Sequence, residues 1–486
     1  MSSILILSII SIYFGALIFI SYFTSKNADT QAFFTGNRSS KWYLVAFGMI
    51  GTSISGVTFI SVPGEVGTNG FAYFQIVLGY LVGYAFIGLV LLPLYYKLNL
   101  VSIYTYLEQR FGNSTYKTGS FFFLLSRTIG ASFRLFLAAD VLQLMIFDQM
   151  GIPFELTVFI TIALIWVYTF KGGIKTIVWT DSFQTLFLIG SLILCVLTIK
   201  NELGWSMGDL VTNISESKYS QIFFWDLNDN KYFFKQFISG AFIAIVMTGL
   251  DQDLMQKNLT CKNIAEGQKN MFTFTIIMLI VNFLFLTLGA LLYTFAAQKG
   301  FAIPAKTDQL FPYLALNFFG TPAAILFLLG IIASTYASAD SALASLTTAF
   351  CIDFLGFEKR TDENERNRLK LYVHLGFSFL LLFVIIIFRY ANNQAVVSSV
   401  FKAAGYTYGP LLGLFFFGLF TKMQVKDRFI PVVCFASPII CFILNQNSQQ
   451  WLGGYKIGFE ILLINGFLTF MGMWVLRKPE NQLARS

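Results

Sequence analysis

The sequence has little of what soluble enzymes use for chemistry. Of its 486 residues, 12 % are charged and one, His374, is a histidine, so we expect no metal centre or general base built on histidine. The five cysteines show neither metal-ligand spacing nor a disulfide framework. No cluster of catalytic side chains is visible, and we expect the protein not to be an enzyme.

Apolar residues are abundant instead. The chain is 56 % hydrophobic and 17 % aromatic, and it offers almost continuous segments of the roughly 20 apolar residues that a membrane helix needs. The pattern predicts an all-α integral membrane protein with about thirteen transmembrane helices. The predicted spans lie near residues 3–23, 43–62, 71–96, 118–147, 154–170, 178–199, 233–252, 271–297, 318–352, 370–389, 395–420, 429–445 and 457–476.

The distribution of basic residues predicts how the chain crosses the membrane. If the N-terminus lies outside, the cytoplasmic connections and the C-terminal tail hold 22 of the 33 Lys and Arg residues, and the outer connections with nearby helix ends hold eight. Cytoplasmic loops carry such an excess. We therefore expect a multi-pass protein of the cell (inner) membrane with an outer N-terminus and a cytoplasmic C-terminus. The expected partners are a small-molecule solute and membrane lipid, without nucleic acid or an obligatory protein partner.

The predicted ninth span carries a polar face within an apolar helix. Hydroxyl side chains recur there at steps of three or four residues, at Ser334, Ser338, Ser341, Ser345 and Thr348. Small residues can simply allow helices to pack closely, with hydroxyls bonding across. Asp340 favours a second interpretation, because a carboxylate at this depth costs about 2.5–3.5 kcal/mol and is usually functional. The face then offers oxygen ligands to a small cation.

Two predicted spans contain residues that interrupt a helix. Glycines and a proline divide the second span, at Gly48, Gly51, Gly56 and Pro63. The seventh span contains Gly240 and Gly249 and ends in the polar run 248–253. Unwound backbone at membrane depth must line a cavity or be packed by protein, and its carbonyls can bind a cation. Two such spans, five apart, predict inverted repeats around a central site, although glycines that serve packing alone would give the same pattern.

Two charged residues in the predicted spans have open interpretations. Asp181 is either a second cation ligand near the ninth span or an interfacial acid paired with Lys175. Arg134 lies in mid-span, where its guanidinium suits either the carboxylate of a solute or a structural ion pair with another helix.

Four sequence elements together resemble the sodium/solute symporter family, over about residues 30–420. They are the Gly-Gly-Ile-Lys-Thr-Ile-Val-Trp-Thr-Asp element that ends at Asp181, the Ser-Ile-Ser-Gly-Val-Thr-Phe element at 53–59, the Asp-Gln-Asp-Leu-Met-Gln-Lys-Asn-Leu element at 251–259 and the Ser/Ala-rich helix that ends at Asp353. The resemblance implies a LeuT-like core of two inverted five-helix repeats with flanking helices. The expected division is 1–30 (N-terminal helix), 31–200 (first repeat), 201–425 (second repeat) and 426–486 (C-terminal helices).

The resemblance also implies site residues, with sodium as the coupling ion. The main sodium site would comprise Gly51, Ile54, Ser334, Ala337 and Ser338. A second sodium site would comprise Asp181, Asp340 and Ser341. The solute cavity would include Ser55, Thr58, Gln75, Arg134 and Thr248. Ala337 departs from the family pattern, since many relatives carry a hydroxyl there, and the acid at Asp340 is unusual.

The prediction for function is sodium-coupled symport of a small organic solute by alternating access. Arg134 favours an anionic solute that bears a carboxylate. A proton-coupled transporter that uses Asp340 is the alternative within transport. A membrane sensor or channel is the alternative from another class.

Overall fold

The computed structural model describes residues 3–25, 35–169, 173–357, 360, 362–391 and 395–478. Helices account for the ordered structure of these residues, and no strand occurs among them. The N-terminal half contains α1 Ser3–Ser25, α2 Trp42–Ser53, α3 Gly56–Asn69, α4 Tyr73–Lys97, α5 Thr105–Arg110, α6 Asn113–Leu142, α7 Phe154–Thr169, α8 Gly173–Glu202 and α9 Met207–Ser215. The remainder contains α10 Phe233–Gly249, α11 Gln252–Asn258, α12 Ile264–Lys299, α13 Leu310–Asn317, α14 Gly320–Phe354, α15 Glu363–Ala391, α16 Val396–Thr407, α17 Gly409–Phe420, α18 Ile430–Gln446, α19 Ser448–Trp451 and α20 Ile461–Val475.

The apolar helices follow the predicted spans. In the described part of the chain, eight helices are long and apolar enough to cross a membrane, and three bent helix pairs raise the number to eleven. The two other predicted spans coincide with the shorter apolar helices α7 and α20. The multi-pass architecture inferred from composition is therefore confirmed.

The second predicted span is broken where its glycines predict. Helices α2 and α3 meet at an angle of 55°. Between them Ile54 leaves the helical conformation (φ −84°, ψ 77°) and Ser55 is extended. The last carbonyls of α2 consequently lack the N–H donors that a continuing helix would supply.

The seventh predicted span also breaks, but at one end only. Helices α10 and α11 meet at 69° beyond Gly249. Tyr95 and Tyr104 donate hydroxyl hydrogen bonds of 2.8 Å to the carbonyls of Gly249 and Leu250, so protein groups satisfy this unwound backbone. The prediction that Gly240 breaks the span is wrong. Gly240 lies within α10, where an added Cβ would come 2.1 Å from the Ile76 carbonyl oxygen, so its small size serves close packing.

A third break was not predicted. The eleventh predicted span, 395–420, consists of α16 and α17, which meet at 49°. Pro410 stands in the first turn of α17, where proline is tolerated because the N–H it lacks would have no partner there. The Tyr408 hydroxyl at this break donates a hydrogen bond to Asp251, the residue that caps α11. Two of the three breaks are thus linked directly.

Helix α14 lies at the centre of the bundle. It packs against α2, α3, α6 and α8, and all residues from Gly330 to Ala349 are buried. Small residues allow this close approach. At Gly56 an added Cβ would come 2.3 Å from Thr335 Oγ1, and at Gly330 an added Cβ would meet Phe59 and Ser191.

Candidate functional site

The break between α2 and α3 lies directly against α14. The Thr52 hydroxyl, in the last turn of α2, is 3.3 Å from the carbonyl oxygen of Ala337. This contact brings the last turn of α2 beside the turn of α14 that carries Ser338. The residues proposed for the main sodium site therefore come from two helices that meet in the structure.

The chemistry of this junction fits a monovalent cation. Its groups are backbone carbonyls and hydroxyls, and in the described ranges no set of three or more His, Cys, Asp or Glu side chains could hold a metal ion. Ser53 Oγ, at the break, is buried and has no hydrogen-bond partner among the described residues. Buried polar atoms are nearly always paired, so an ion or a water would satisfy it. Ser334 Oγ donates to the Ile331 carbonyl at 3.0 Å and keeps its lone pairs.

Asp181 forms a buried ion pair with Lys257. The Lys257 ammonium contacts both Asp181 Oδ2 and Thr52 Oγ1, and the Lys257 and Asp181 side chains are 1 % and 0 % exposed. The alternative partner from the sequence, Lys175, is wrong. The 22 basic residues assigned to the cytoplasmic side include Lys257, and for Lys257 that assignment is wrong, because α11 turns back among the helices.

The other two residues predicted for the second sodium site are also buried. Asp340 interacts electrostatically with the Lys257 ammonium, so Asp181 and Asp340 act on the same cation. Ser341 donates its hydroxyl hydrogen bond to Asp253, which forms a buried ion pair with Arg127. The Ser341 hydroxyl is therefore bonded to α11.

A cavity of about 70 Å³ lies between α3, α4, α6, α10 and α16. Four of the five residues predicted to contact solute line it, namely Ser55, Thr58, Arg134 and Thr248. Gln75 does not line it. Its side chain bonds the Lys231 carbonyl (2.9 Å) and the Phe224 amide (3.3 Å) and so holds the connection between α9 and α10. Since ligand pockets usually measure about 300–1,000 Å³, side chains must move before a solute fits.

Arg134 connects this cavity to the cation junction. Its Nη1 atom donates a hydrogen bond of 3.2 Å to Ser338 Oγ. In the described part of the chain, no carboxylate oxygen lies within 4.0 Å of its guanidinium, and the structural ion pair considered from the sequence is not formed there. The guanidinium therefore faces this cavity without a carboxylate in direct contact.

Two contacts tie α16 to neighbouring elements beside the cavity. Ser398, near the start of α16, donates a 2.7 Å hydrogen bond to Glu65 of α3. The Val396 amide donates a 3.0 Å hydrogen bond to Asp308, in the loop before α13. Burial raises the pKa of Asp308 above its usual value, and the Val396 amide opposes this rise without cancelling it. These contacts hold α16 over the cavity.

The sequence alone did not single out the partners of the buried acids. Lys257, Asp253, Tyr408 and Arg127 were not predicted as site residues. A signal was present, because Asp253 and Lys257 both lie in the 251–259 element that carries the family resemblance. Their pairing depends on the bend before α11, which a residue pattern does not locate.

Comparison with known proteins agrees with this geometry. The model of the sodium:solute symporter family matches residues 33–427. The sodium/sialic acid symporter NanT of Aliivibrio fischeri is 25 % identical, over 94 % of this chain and 91 % of that protein. Sodium-coupled monocarboxylate transporter 2 of Mus musculus is 23 % identical, over 83 % of this chain and 66 % of that protein.

A solved structure has the same fold. The substrate-bound outward-open state of a Na⁺-coupled sialic acid symporter superimposes with a TM-score of 0.82 at 21 % identity, covering 97 % of this chain and 98 % of that one. The predicted all-α, LeuT-like fold is confirmed by this likeness.

Proposed function

Because the chain belongs to the sodium:solute symporter family, and so couples solute transport to sodium by alternating access, we propose that it imports a small organic anion whose carboxylate binds Arg134. The observation that carries this proposal is the position of Arg134, in the solute cavity and bonded to Ser338. Sialic acid and monocarboxylates, named for the two relatives, both bear a carboxylate.

The main sodium ion is proposed to bind where α2 and α3 separate against α14. Its ligands would be the carbonyls of Gly51 and Ile54 with groups from α14. The latter are Ser334, Ala337 and Ser338, of which Ala337 contributes only its carbonyl. A cation here holds the broken span against α14 and so stabilises the shape of the neighbouring cavity.

Electrostatics explain why an anionic solute suits this site. The Ser338 hydroxyl would contact both the sodium ion and the Arg134 guanidinium. Two unit charges about 5 Å apart repel by about 3 kcal/mol at an effective dielectric constant of 20. A carboxylate on Arg134 offsets that repulsion, so sodium and solute should bind cooperatively. A neutral solute would not provide this coupling.

The second sodium site is proposed around Asp181 and Asp340, with Ser341 available when its bond to Asp253 opens. Family membership favours sodium over the proton-coupled alternative at Asp340, and it favours a transporter over a sensor or channel. Lys257 already contacts Asp181, so occupation of this site by sodium depends on that lysine.

We further propose the membrane orientation and the repeat division. The excess of basic residues in alternate connections supports an outer N-terminus, a cytoplasmic C-terminus and residence in the cell (inner) membrane. Broken helices in the second and seventh spans support repeats at 31–200 and 201–425, flanked by 1–30 and 426–486. The boundary at residues 30–31 lies outside the described residues. Membrane lipid is the proposed surroundings, with no obligatory protein partner.

Uptake into proteoliposomes tests the solute class. Sialic acid and lactate are the anionic probes, glucose is the neutral control, and the external cation is sodium or potassium. Wild-type protein should take up an anionic probe with sodium and not with potassium. Uptake of glucose alone, or equal uptake with both cations, contradicts the proposal.

The Arg134→Gln variant tests the residue. Charge-assisted hydrogen bonds contribute about 1.5–3 kcal/mol, so uptake of the anion should fall about 10- to 150-fold. Sodium binding without solute should become tighter, because the repulsion is removed. Arg134→Lys is the matched control, since it keeps the charge and should leave sodium binding near wild type. An Arg134→Gln variant with wild-type uptake of the anion contradicts the role.

A further inference from the structure

Lys257 brings a positive charge into the membrane interior. It lies on α11, a seven-residue helix that follows the 69° bend of the seventh span. The bend directs the lysine back among α2, α8 and α14. Its ammonium contacts Asp181 of α8 and Thr52 of α2, and Thr52 in turn contacts the Ala337 carbonyl of α14. One side chain thus links α8 to α2 directly, and to α14 through Thr52.

The surroundings of this ammonium are those of a bound cation. A lysine ammonium is a compact monovalent charge, and here a carboxylate and a hydroxyl oxygen contact it away from water. Asp340 adds a further favourable electrostatic interaction. Buried charges require such partners. The site therefore accommodates one positive charge, which a lysine side chain supplies in this conformation.

We propose that Lys257 is a tethered cation that takes the place of one sodium ion at Asp181. The inference rests on the proposed function, because it assumes that sodium is the ion that competes. A sodium ion and the Lys257 ammonium on the same Asp181 carboxylate would be two positive charges a few ångströms apart, and they would repel each other. Sodium and Lys257 therefore bind Asp181 alternately.

The second carboxylate oxygen supports a ligand role for Asp181. Asp181 Oδ1 is buried and has no hydrogen-bond partner among the residues that the structure describes. A side chain that served only a structural ion pair would be expected to have both oxygens satisfied. An unpaired carboxylate oxygen beside a displaceable ammonium is an arrangement that a sodium ion completes.

The position of α11 decides which cation is present. Asp253, four residues before Lys257, is held by Arg127 of α6 and Ser341 of α14. If these contacts open, α11 can withdraw and carry Lys257 away from Asp181. Sodium can bind Asp181 in that state. When sodium leaves, Lys257 returns to Asp181 as its counter-charge, so the empty transporter changes conformation without an unpaired buried carboxylate.

Equilibrium binding of ²²Na⁺ to the purified full chain in nanodiscs tests the inference. The measured quantity is the number of sodium ions bound per chain at the lowest sodium concentration that fills the main site of wild type, because a saturating concentration would displace Lys257 in wild type as well. Lys257→Gln should bind one more ion than wild type. Lys257→Arg keeps the charge and should bind the wild-type number, as should the double variant Asp181→Asn/Lys257→Gln. Lys262→Gln is the matched control, because it removes an exposed lysine five residues away.

Thermal stability provides a second measurement. Removing Lys257 leaves Asp181 unpaired, so the Lys257→Gln variant should be less stable in potassium. Sodium should restore it, because a ligand that binds only the folded state stabilises it in proportion to RT ln(1 + [L]/Kd). Its melting temperature should therefore rise more steeply with sodium concentration than that of wild type.

The outcomes separate the two proposals. If wild type binds no sodium, the proposed sodium site fails. If wild type binds sodium and Lys257→Gln binds the same number, only the role of Lys257 is overturned. Failure of Lys257→Gln to fold in 500 mM sodium, when Asp181→Asn/Lys257→Gln does fold, also overturns it, since sodium should replace the missing charge.

Discussion

The contact between Gly56 and Thr335 gives a prediction about the main sodium site that involves none of its proposed ligands. Gly56 begins α3, and a Cβ added there would lie 2.3 Å from Thr335 Oγ1 of α14. That distance is far inside van der Waals contact, so Gly56→Ala must push the break away from α14. The proposed sodium ligands lie on α14 and at the break where α3 begins, so we expect the variant to bind sodium more weakly.

The size of the effect follows from the clash. Overpacking by one methyl group costs about 1–3 kcal/mol, which corresponds to about a 5- to 150-fold rise in the sodium concentration for half-maximal uptake. Titration of sodium in a proteoliposome uptake assay measures this concentration. Gly190→Ala is the matched control, because no atom lies within 4 Å of the added Cβ and the helix gains propensity.

A second substitution should reverse the defect. Thr335 Oγ1 has no hydrogen-bond partner among the described residues, so Thr335→Ala removes the clashing atom without leaving a bonded group unpaired. The double variant Gly56→Ala/Thr335→Ala should return the sodium dependence close to wild type. If Gly56→Ala leaves the sodium curve unchanged, or if the double variant is no better, the placement of the sodium site at this junction is refuted.

Two further predictions concern α14 and the helices that pack against it. Ser338→Ala should raise the sodium concentration for half-maximal uptake about tenfold or more. Ser345→Ala should not, because the Ser345 hydroxyl bonds within its own helix. Equal sodium curves for the two variants would exclude Ser338 as a ligand. Arg127→Met should lower the free energy of unfolding in mixed micelles by about 3–5 kcal/mol, because it leaves Asp253 buried and unpaired. Adding Asp253→Leu should recover part of that loss, and purely additive losses would contradict a direct ion pair.

Much of the architecture follows from the residue pattern. Apolar length identified the spans. The glycines near Gly51 located the first break, because glycine destabilises the helix around it and has no side chain to support it. The hydroxyl face of α14 was equally visible, since helical periodicity places every third or fourth residue on one side. The break at Tyr408 was not predicted, although Gly409 and Pro410 follow it directly, because the apolar length of 395–420 fits a single span.

Partner choice could not be predicted in the same way. Sequence reasoning offered Lys175 as the partner of Asp181, since it is near in the chain, and the structure uses Lys257, 76 residues away. Gln75 was predicted to line the solute cavity, and in the structure it bonds the connection between α9 and α10. The bend before α11 decides the partner of Asp181, and the course of the connection between α9 and α10 decides the partners of Gln75.

The amino-acid sequence by itself determined the class of the protein, its spans and the oxygen-rich face of α14, because these depend on local composition and helical period. Only the tertiary structure decided that Arg134 contacts Ser338 and that Lys257 contacts Asp181. Those contacts join helices that are distant in the chain, and buried charges are paired only when the packing of the whole bundle brings their carriers together.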